Sequence, residues 1–214
     1  VVSFVDPNTL VTPTTTIFAN TSGVTSNENG TYATDDFVFG SPQLADNGNT
    51  ANDKRLFFDK SRGAFRAGRV IGTQWDDANV GDYSTAMGYN TTASGSRSTA
   101  MGDGTNASGN YSTAMGEGTT ASGDRSTAMG KGTTASGSRS TAMGSITTAS
   151  GSNSTAMGDG TNASGFASTA MGGGTIASGP VSTAMGSGTI ASGPVSTAMG
   201  SFTTASGDYS IAMG

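Results

Sequence analysis

Small apolar residues recur at a fixed spacing through the second part of the chain, residues 81–214. All ten Met residues lie there, fourteen positions apart, in units that read S-T-A-M-G-x-x-T-x-A-S-G-x-x. Each half of a unit is predicted to be a strand of about four residues followed by a turn led by Gly, which adopts positive φ without steric cost. Gly, Ser and Thr are too frequent for a helix. Stacked units about 4.8 Å apart would form an all-β, parallel β-solenoid, or β-roll, with two short strands per coil.

The alternation within the unit assigns an inside and an outside to each coil, because neighbouring side chains of a strand point to opposite faces. We number the unit from Ser84 (position 1) to Arg97 (position 14). Ser84 and Ala86 share one face of the first strand, and Thr91 and Ala93 share one face of the second. Two short strands enclose a thin space, so we expect these small pairs inside and Thr and Met outside. The alternative, with Met inside a monomeric roll, would overfill the coil.

An outward column of Met predicts association between subunits. Soluble monomers rarely expose an apolar stripe of this length, and burying one Met is worth roughly 1.5–3 kcal/mol. We therefore predict a subunit interface made by the Met at position 4 of every unit: Met87, Met101, Met115, Met129, Met143, Met157, Met171, Met185, Met199 and Met213.

The repeat is preceded by two regions of different composition. Residues 1–35 are rich in Thr and Asn and are predicted to be irregular or β-rich. Residues 36–80 contain the short strand patterns FVFG, RLFFD and GAFRAGRVIG, the last two joined by a KSRG hairpin turn. We expect residues 36–80 to form a small β-rich module that caps the first coil, with Trp75, Val80 and Tyr83 at the junction, since an open solenoid end exposes unpaired strand edges.

The unit resembles the head repeat of trimeric autotransporter adhesins, the YadA-like head, whose pattern is S-V-A-I-G followed by S-x-A-x-G. Thr and Met stand here where that family has Val and Ile, and the resemblance covers residues 84–214. It implies a left-handed roll, three of which pack around a common axis as a homotrimer with the Met columns inside. It also implies an extracellular fibre attached to the outer membrane, which binds a host-cell, matrix or other surface receptor.

Composition restricts the chemistry. The 214 residues include no Cys and no His, which excludes Ser–His and Cys–His nucleophiles and the usual zinc ligands. The pairs Asp35/Asp36 and Asp76/Asp77 are typical of solvated turns, so we expect no catalytic residues. We also expect no metal and no cofactor. No apolar run is long enough to insert into a membrane. Six basic residues cluster near three Phe, a combination found in proteins that bind single-stranded nucleic acid. Because the net charge of the chain is −5, we favour ion pairs between subunits for these residues over nucleic-acid binding.

Two other functions remain open. The chain could be the receptor-binding part of a phage or tail-fibre-like protein, since residues 37–68 resemble modules that precede such repeats in fibres of both kinds. Less favoured is an ice-binding solenoid, because the Thr ladder at position 9 is interrupted, by Asn106, Asn162, Ile176 and Ile190.

The departures from the repeat predict a candidate binding patch. Positions 13 and 14 are polar or contain Tyr in the early units and become apolar in three later ones, while position 9 becomes Ile in two. Equivalent positions stack coil on coil, so these residues should merge into one apolar strip. The alternative is packing against a neighbouring subunit. The residues concerned are Phe166, Ile176, Val181, Ile190 and Val195.

Overall fold

The computed structural model describes residues 54–214, together with the backbone of three short strands: β1 (Ala19–Thr21), β2 (Val24–Ser26) and β3 (Phe37–Gly40). β1 and β2 pair as antiparallel strands. Apart from these two strands, the segment predicted over residues 1–35 lies outside the described residues.

β3, a hairpin and the long strands of the repeat share one sheet of thirteen strands, in which β3 pairs antiparallel with the first strand of the hairpin. The hairpin consists of β4 (Lys54–Asp59) and β5 (Ala64–Arg69), joined by a turn in which Gly63 has φ of 62°. β5 then pairs in parallel with the first long strand of the repeat. The long strands, one per coil and all parallel, are β6 (Thr85–Tyr89), β8 (Thr99–Asp103), β10 (Thr113–Glu117), β12 (Thr127–Lys131), β14 (Thr141–Ser145), β16 (Thr155–Asp159), β18 (Thr169–Gly173), β20 (Thr183–Ser187), β22 (Thr197–Ser201) and β24 (Ile211–Met213).

The second strand of each coil is only two residues long, so the expectation of two similar strands of about four residues was wrong. The cause is the backbone pairing, in which the N–H groups of Ser94 and Gly95 both donate to the carbonyl of Ala107, at 3.1 and 3.2 Å, and end the ladder. These strands form a nine-stranded parallel sheet: β7 (Thr92–Ala93), β9 (Asn106–Ala107), β11 (Thr120–Ala121), β13 (Thr134–Ala135), β15 (Thr148–Ala149), β17 (Asn162–Ala163), β19 (Ile176–Ala177), β21 (Ile190–Ala191) and β23 (Thr204–Ala205).

The interior of the solenoid contains the small side chains that the alternation predicts. Ser84, Ala86, Thr91 and Ala93 are all at most 1% exposed, and their equivalents repeat this burial along the roll. The Ser84 hydroxyl donates to the carbonyl of Gly81, three residues earlier, at 2.5 Å. The two sheets are therefore separated by little more than two layers of Ala, Ser and Thr. This confirms the predicted β-solenoid of two-stranded, fourteen-residue coils.

Two columns of Gly allow the coils to stack this closely. At position 12, a Cβ on Gly123 would overlap the carbonyl oxygen of Gly137 in the next coil. At position 5, a Cβ on Gly116 would overlap the carbonyl of Gly130, and φ there is 124°. Position 7 differs, because Gly118 has φ of 60° but open space around its Cβ. Gly is thus required in the first two columns by backbone contact, whereas at position 7 it is only favoured by conformation, and Asn90, Ile146 and Phe202 adopt the same positive φ there.

Candidate functional site

The outer face of the long-strand sheet bears the Met column. Met115 lies directly opposite Met129 in the neighbouring strand, and the same register holds from Met87 to Met213. Within one chain the Met side chains are half-buried, except for Met213, which is 70% exposed. Thr at position 2 flanks them on the same face. The result is a continuous, partly apolar stripe about 43 Å long at the usual strand spacing.

The stripe continues onto the hairpin, which sequence analysis did not predict. Across the sheet, Met87 lies opposite Ala67, which in turn lies opposite Leu56. One column away, Phe65 and Phe58 occupy the line of the position 2 Thr residues. Leu56 is 37% exposed and Phe58 is 40% exposed. The same face therefore becomes more apolar towards the start of the roll.

The interior at the start of the roll is filled by large side chains. In the column of buried Ala residues, Ala86 is followed by Arg66 and then by Phe57 in the hairpin. Arg66 is fully buried, and its guanidinium donates to the carbonyls of Ser84 and Ala93, at 3.1 and 3.0 Å. Burial lowers the pKa of Arg66 to about 10, against the opposing attraction of Asp59. The side chain stays protonated at neutral pH and binds the carbonyls of Ser84, directly before β6, and of Ala93, in β7.

Trp75 completes this group of large buried side chains; we call Phe57, Arg66 and Trp75 together the plug. Trp75 ends the first of two short 3₁₀ segments, Thr73–Trp75, and the second, Asp77–Asn79, comes directly after it. Its ring is 1% exposed and packs edge-on against Phe57, with the centroids 6.0 Å apart. Val80 is buried as well, whereas Tyr83 is 65% exposed and lies on the surface.

Two members of the basic cluster are satisfied within the chain, although the sequence had favoured ion pairs between subunits. Arg62 donates two hydrogen bonds of 3.0 Å to the carboxylate of Asp77 and one of 3.3 Å to Asp82. These contacts raise the pKa of Arg62 and lower that of Asp77. Arg66 is buried in the plug, where it donates hydrogen bonds to backbone carbonyls. The pairing holds the chain between hairpin and first coil against the roll.

The second turn of each coil, positions 13 and 14, forms a long edge that we name the second-turn edge. Its position 14 residue is never Gly, yet it always has positive φ, for example 57° at Arg97 and 59° at Tyr111. The N–H of Tyr111 donates to the carbonyl of Ser96 in the preceding coil, at 2.8 Å. The turns are therefore hydrogen-bonded from coil to coil like the strands, and side chains at position 14 stand in a column.

The first part of this edge is a stack of Tyr and Arg that sequence analysis missed. The guanidinium carbon of Arg97 lies 5.2 Å from the ring centres of both Tyr83 and Tyr111, and that of Arg125 lies 5.4 Å from Tyr111. Arg97 also donates to the Tyr111 hydroxyl at 3.0 Å. Arg139 occupies the next place in the column. The fourteen-residue spacing of these residues was the signal that could have revealed the stack.

The predicted apolar patch occupies the later part of the same edge and the neighbouring face of the short-strand sheet. Phe166, Val181 and Val195 lie at the second turns and are 56%, 51% and 43% exposed. Ile176 and Ile190 pair in register on the short-strand sheet, four or five residues earlier in their coils. The patch thus consists of two neighbouring columns.

Val181 and Val195 adopt a strained backbone conformation, with φ of 58° and 55°. A β-branched residue is rarely found there, and the left-handed region costs an ordinary residue about 1–2 kcal/mol. Pro180 and Pro194 precede them at position 13, where the N–H of other coils donates to a side chain, as from Ser96 to Asn110, and takes no part in the backbone ladder, so its loss costs little. Apolar residues at strained, exposed positions are more typical of a contact surface than of a solvated turn.

The described residues contain no group of three or more acidic side chains that could hold a metal ion. Among the same residues, no helix has the length and hydropathy needed to cross a lipid bilayer.

Comparison with known protein families agrees with this geometry. The YadA head domain repeat, a family model that holds two copies of the repeat, matches five successive segments: residues 80–105, 107–133, 135–161, 163–189 and 191–214. Together they make up more than half of the chain. No curated protein matches it. The fold and the match define a β-solenoid of adhesin head repeats, and the chain belongs to the YadA head family.

Proposed function

We propose that the chain is the non-catalytic head module of a trimeric surface adhesin. Three copies pack with their long-strand sheets towards a common axis, which places the three Met columns, one of ten residues from each subunit, in the subunit interface. The short-strand sheets and the second-turn edges then face outward. The module is a rigid, extracellular spacer and contact surface on a cell-surface fibre, and it attaches to cells, matrix or other surfaces.

The observation that carries this proposal is the unbroken, half-buried Met stripe on one face of the roll. The interior of Ala, Ser and Thr contributes little apolar burial per coil, so the chain needs another source of stability. Completing the burial of a half-buried Met is worth roughly 1 kcal/mol. Nine such side chains per subunit, together with the more exposed Met213, supply a large association energy, to which Leu56, Phe58 and Phe65 add at the hairpin.

Membership of the YadA head family supports the trimer and the adhesive role. A roll with its Met and Thr side chains on one outer face fits a structural module. The absence of His and Cys from the sequence fits it as well. The family's apolar residues stand at the positions that Thr and Met occupy here, and Met adapts to irregular gaps better than Ile or Val. We therefore expect the interface of this protein to use the same positions as the family, with side chains that adapt their conformation more easily.

Attachment is tested with beads coated with the whole chain. They should adhere to cultured epithelial cells or to matrix-coated wells above the level of albumin-coated beads. Beads that bear the Met129→Asp, Met143→Asp, Met157→Asp variant provide the matched control, because the variant should not assemble. If wild-type beads bind none of these surfaces while the chain remains trimeric, the adhesive role is wrong.

A further inference from the structure

The basic residues of the repeat are concentrated in one place. Arg97, Arg125, Arg139 and Lys131 are the four basic residues of the repeat. Lys131 lies at position 6, with its Nζ 3.2 Å from a carboxylate oxygen of Glu117. The three Arg residues all lie at position 14, and no carboxylate of the described residues forms an ion pair with any of them. All unpaired cations of the repeat thus stand in one column.

The acidic residues beside this column are already engaged. Asp82 accepts a hydrogen bond from Arg62 at 3.3 Å. Asp124 accepts bonds from both the backbone N–H and the side-chain amide of Asn110, at 3.1 and 3.3 Å. The Asn110 donors do not neutralise Asp124, so the three Arg charges stand beside the single charge of Asp124, and the column is a local positive stripe on a protein with a net charge of −5. Such a stripe attracts anions that the remaining surface repels.

The Tyr rings organise the cations. Arg97 is held between the rings of Tyr83 and Tyr111, and Arg125 packs on the other side of Tyr111. Contact with the rings restricts the guanidinium groups, while Arg97 and Arg125 remain exposed side chains. A guanidinium group can bind sulfate or carboxylate through two parallel hydrogen bonds. Arg97 and Arg125 are two coils apart, about 10 Å, and Arg125 and Arg139 one coil apart, about 5 Å.

We infer that this column binds a linear anionic polysaccharide that lies along the axis of the roll. The sulfate or carboxylate groups of such a chain recur at intervals comparable to the rise of one or two coils, so several can meet the column at once. The inference rests on the proposed function, because it names the class of surface to which the module attaches. It assigns a role to residues that take no part in the Met interface.

A nucleic acid fits this column less well. Single-stranded nucleic acids bind largely through bases stacked on exposed aromatic faces. Both faces of the Tyr111 ring are covered by Arg97 and Arg125, and one face of Tyr83 is covered by Arg97. The column therefore offers charge and hydrogen-bond donors, but of its two Tyr rings only the exposed Tyr83 has a face not covered by Arg, which suits an anionic sugar chain better than a run of stacked bases.

The test measures binding of the whole chain to size-defined heparin oligosaccharides, to hyaluronan and to a single-stranded thymidine oligonucleotide. The Arg97→Gln, Arg125→Gln, Arg139→Gln variant should bind the anionic glycans at least about tenfold more weakly at physiological salt. The slope of log affinity against log salt should fall by about one for each Arg removed. Lys131→Gln is the matched control, since it removes one charge from another edge and should leave binding unchanged.

A single variant protects the test against misfolding. Arg139→Gln touches no Tyr ring in the described stack, and it should weaken glycan binding without changing the melting temperature or the sedimentation coefficient. Heparin or hyaluronan binding that is lost with the Arg residues and kept in Lys131→Gln supports the inference.

Three results would overturn it. They are a trimeric wild-type chain that binds neither glycan, glycan binding that survives the triple substitution, and an oligonucleotide bound as tightly as the glycans through the same Arg residues. A triple variant that dissociates the trimer, with Arg139→Gln binding as well as wild type, would also show the column to be structural. In each case a trimer that still adheres to surfaces leaves the proposed function standing, whereas a monomeric wild type contradicts that function separately.

Discussion

The indole nitrogen of Trp75 donates a hydrogen bond to the backbone carbonyl of Thr91, with 2.9 Å between Nε1 and the oxygen. This bond joins the segment before the repeat to the interior of the first coil. A solenoid end would otherwise leave that carbonyl buried without a donor, at a cost of about 1–3 kcal/mol. Trp75 therefore seals the roll at its first coil, together with Arg66 and Phe57.

Replacing Trp75 with Ala should destabilise the protein by about 3–5 kcal/mol, because it removes a large buried ring and the donor to Thr91. In a repeat protein the damage should be local at first. Hydrogen exchange should show lost protection in coil 84–97 well before coil 182–195. Ile71→Ala, at a side chain 53% exposed, is the control and should change little. Equal loss of protection along the whole roll would contradict a local cap.

Deletion of residues 1–80 tests the wider proposal that residues 36–80 form a capping module. It would expose the edge of β6, whose backbone groups now pair with β5. Exposed strand edges join other edges, so the melting temperature should fall and light scattering should reveal end-to-end association. Unchanged stability and solubility would show that the repeat needs no cap.

The Gly columns predict unequal effects of the same substitution. Gly123→Ala should cost about 3 kcal/mol or more, since the new methyl group would overlap the carbonyl of Gly137. Gly118→Ala should cost only about 1 kcal/mol, the strain of a left-handed residue in open space. Gly118→Asn should be milder still, because Asn90 occupies that position with φ of 50°. Denaturant midpoints measure all three, and similar losses for Gly123→Ala and Gly118→Ala would refute the stacking argument.

The apolar patch is tested by changing Phe166, Val181 and Val195 to Ser. If the patch contacts a partner, the variant should keep its melting temperature within a few degrees and lose surface attachment. Ser96, Ser138 and Ser152 already occupy position 13, the position of Phe166. At position 14, the position of Val181 and Val195, the small Ala167 already adopts the same backbone conformation, with φ of 53°. A sharp fall in melting temperature would instead assign these residues to packing against a neighbouring subunit.

Much of the roll could be predicted from the sequence, because its repeat restricts every coil in the same way. The burial of Ser84 and Ala86 and the outward direction of Met87 follow from alternation and from the small space between two strands. The length of the second strand could not be predicted, since it depends on one carbonyl, that of Ala107, accepting two donors. The hand of the roll was implied only by the family resemblance.

The features at the start of the roll were harder to predict. A fully buried Arg is rare, and the placement of Arg66 depends on the carbonyls of Ser84 and Ala93, two parts of the first coil that meet it only in the folded chain. Tyr83, Arg97 and Tyr111 form a stack although they are fourteen residues apart in the sequence, at a position that varies from unit to unit. A column-by-column comparison of the variable positions, beyond the invariant ones, would have detected it.

The central claim is that the Met stripe is a subunit interface, and sedimentation velocity of the whole chain tests it most directly. The 21.0 kDa chain should sediment as a single species of three times that mass. Changing Met129, Met143 and Met157 to Asp should abolish that species, because nine carboxylates would enter one apolar seam of the trimer. A wild-type chain that remains a folded monomer at micromolar concentration, or a triple variant that still forms the trimer, would contradict the account.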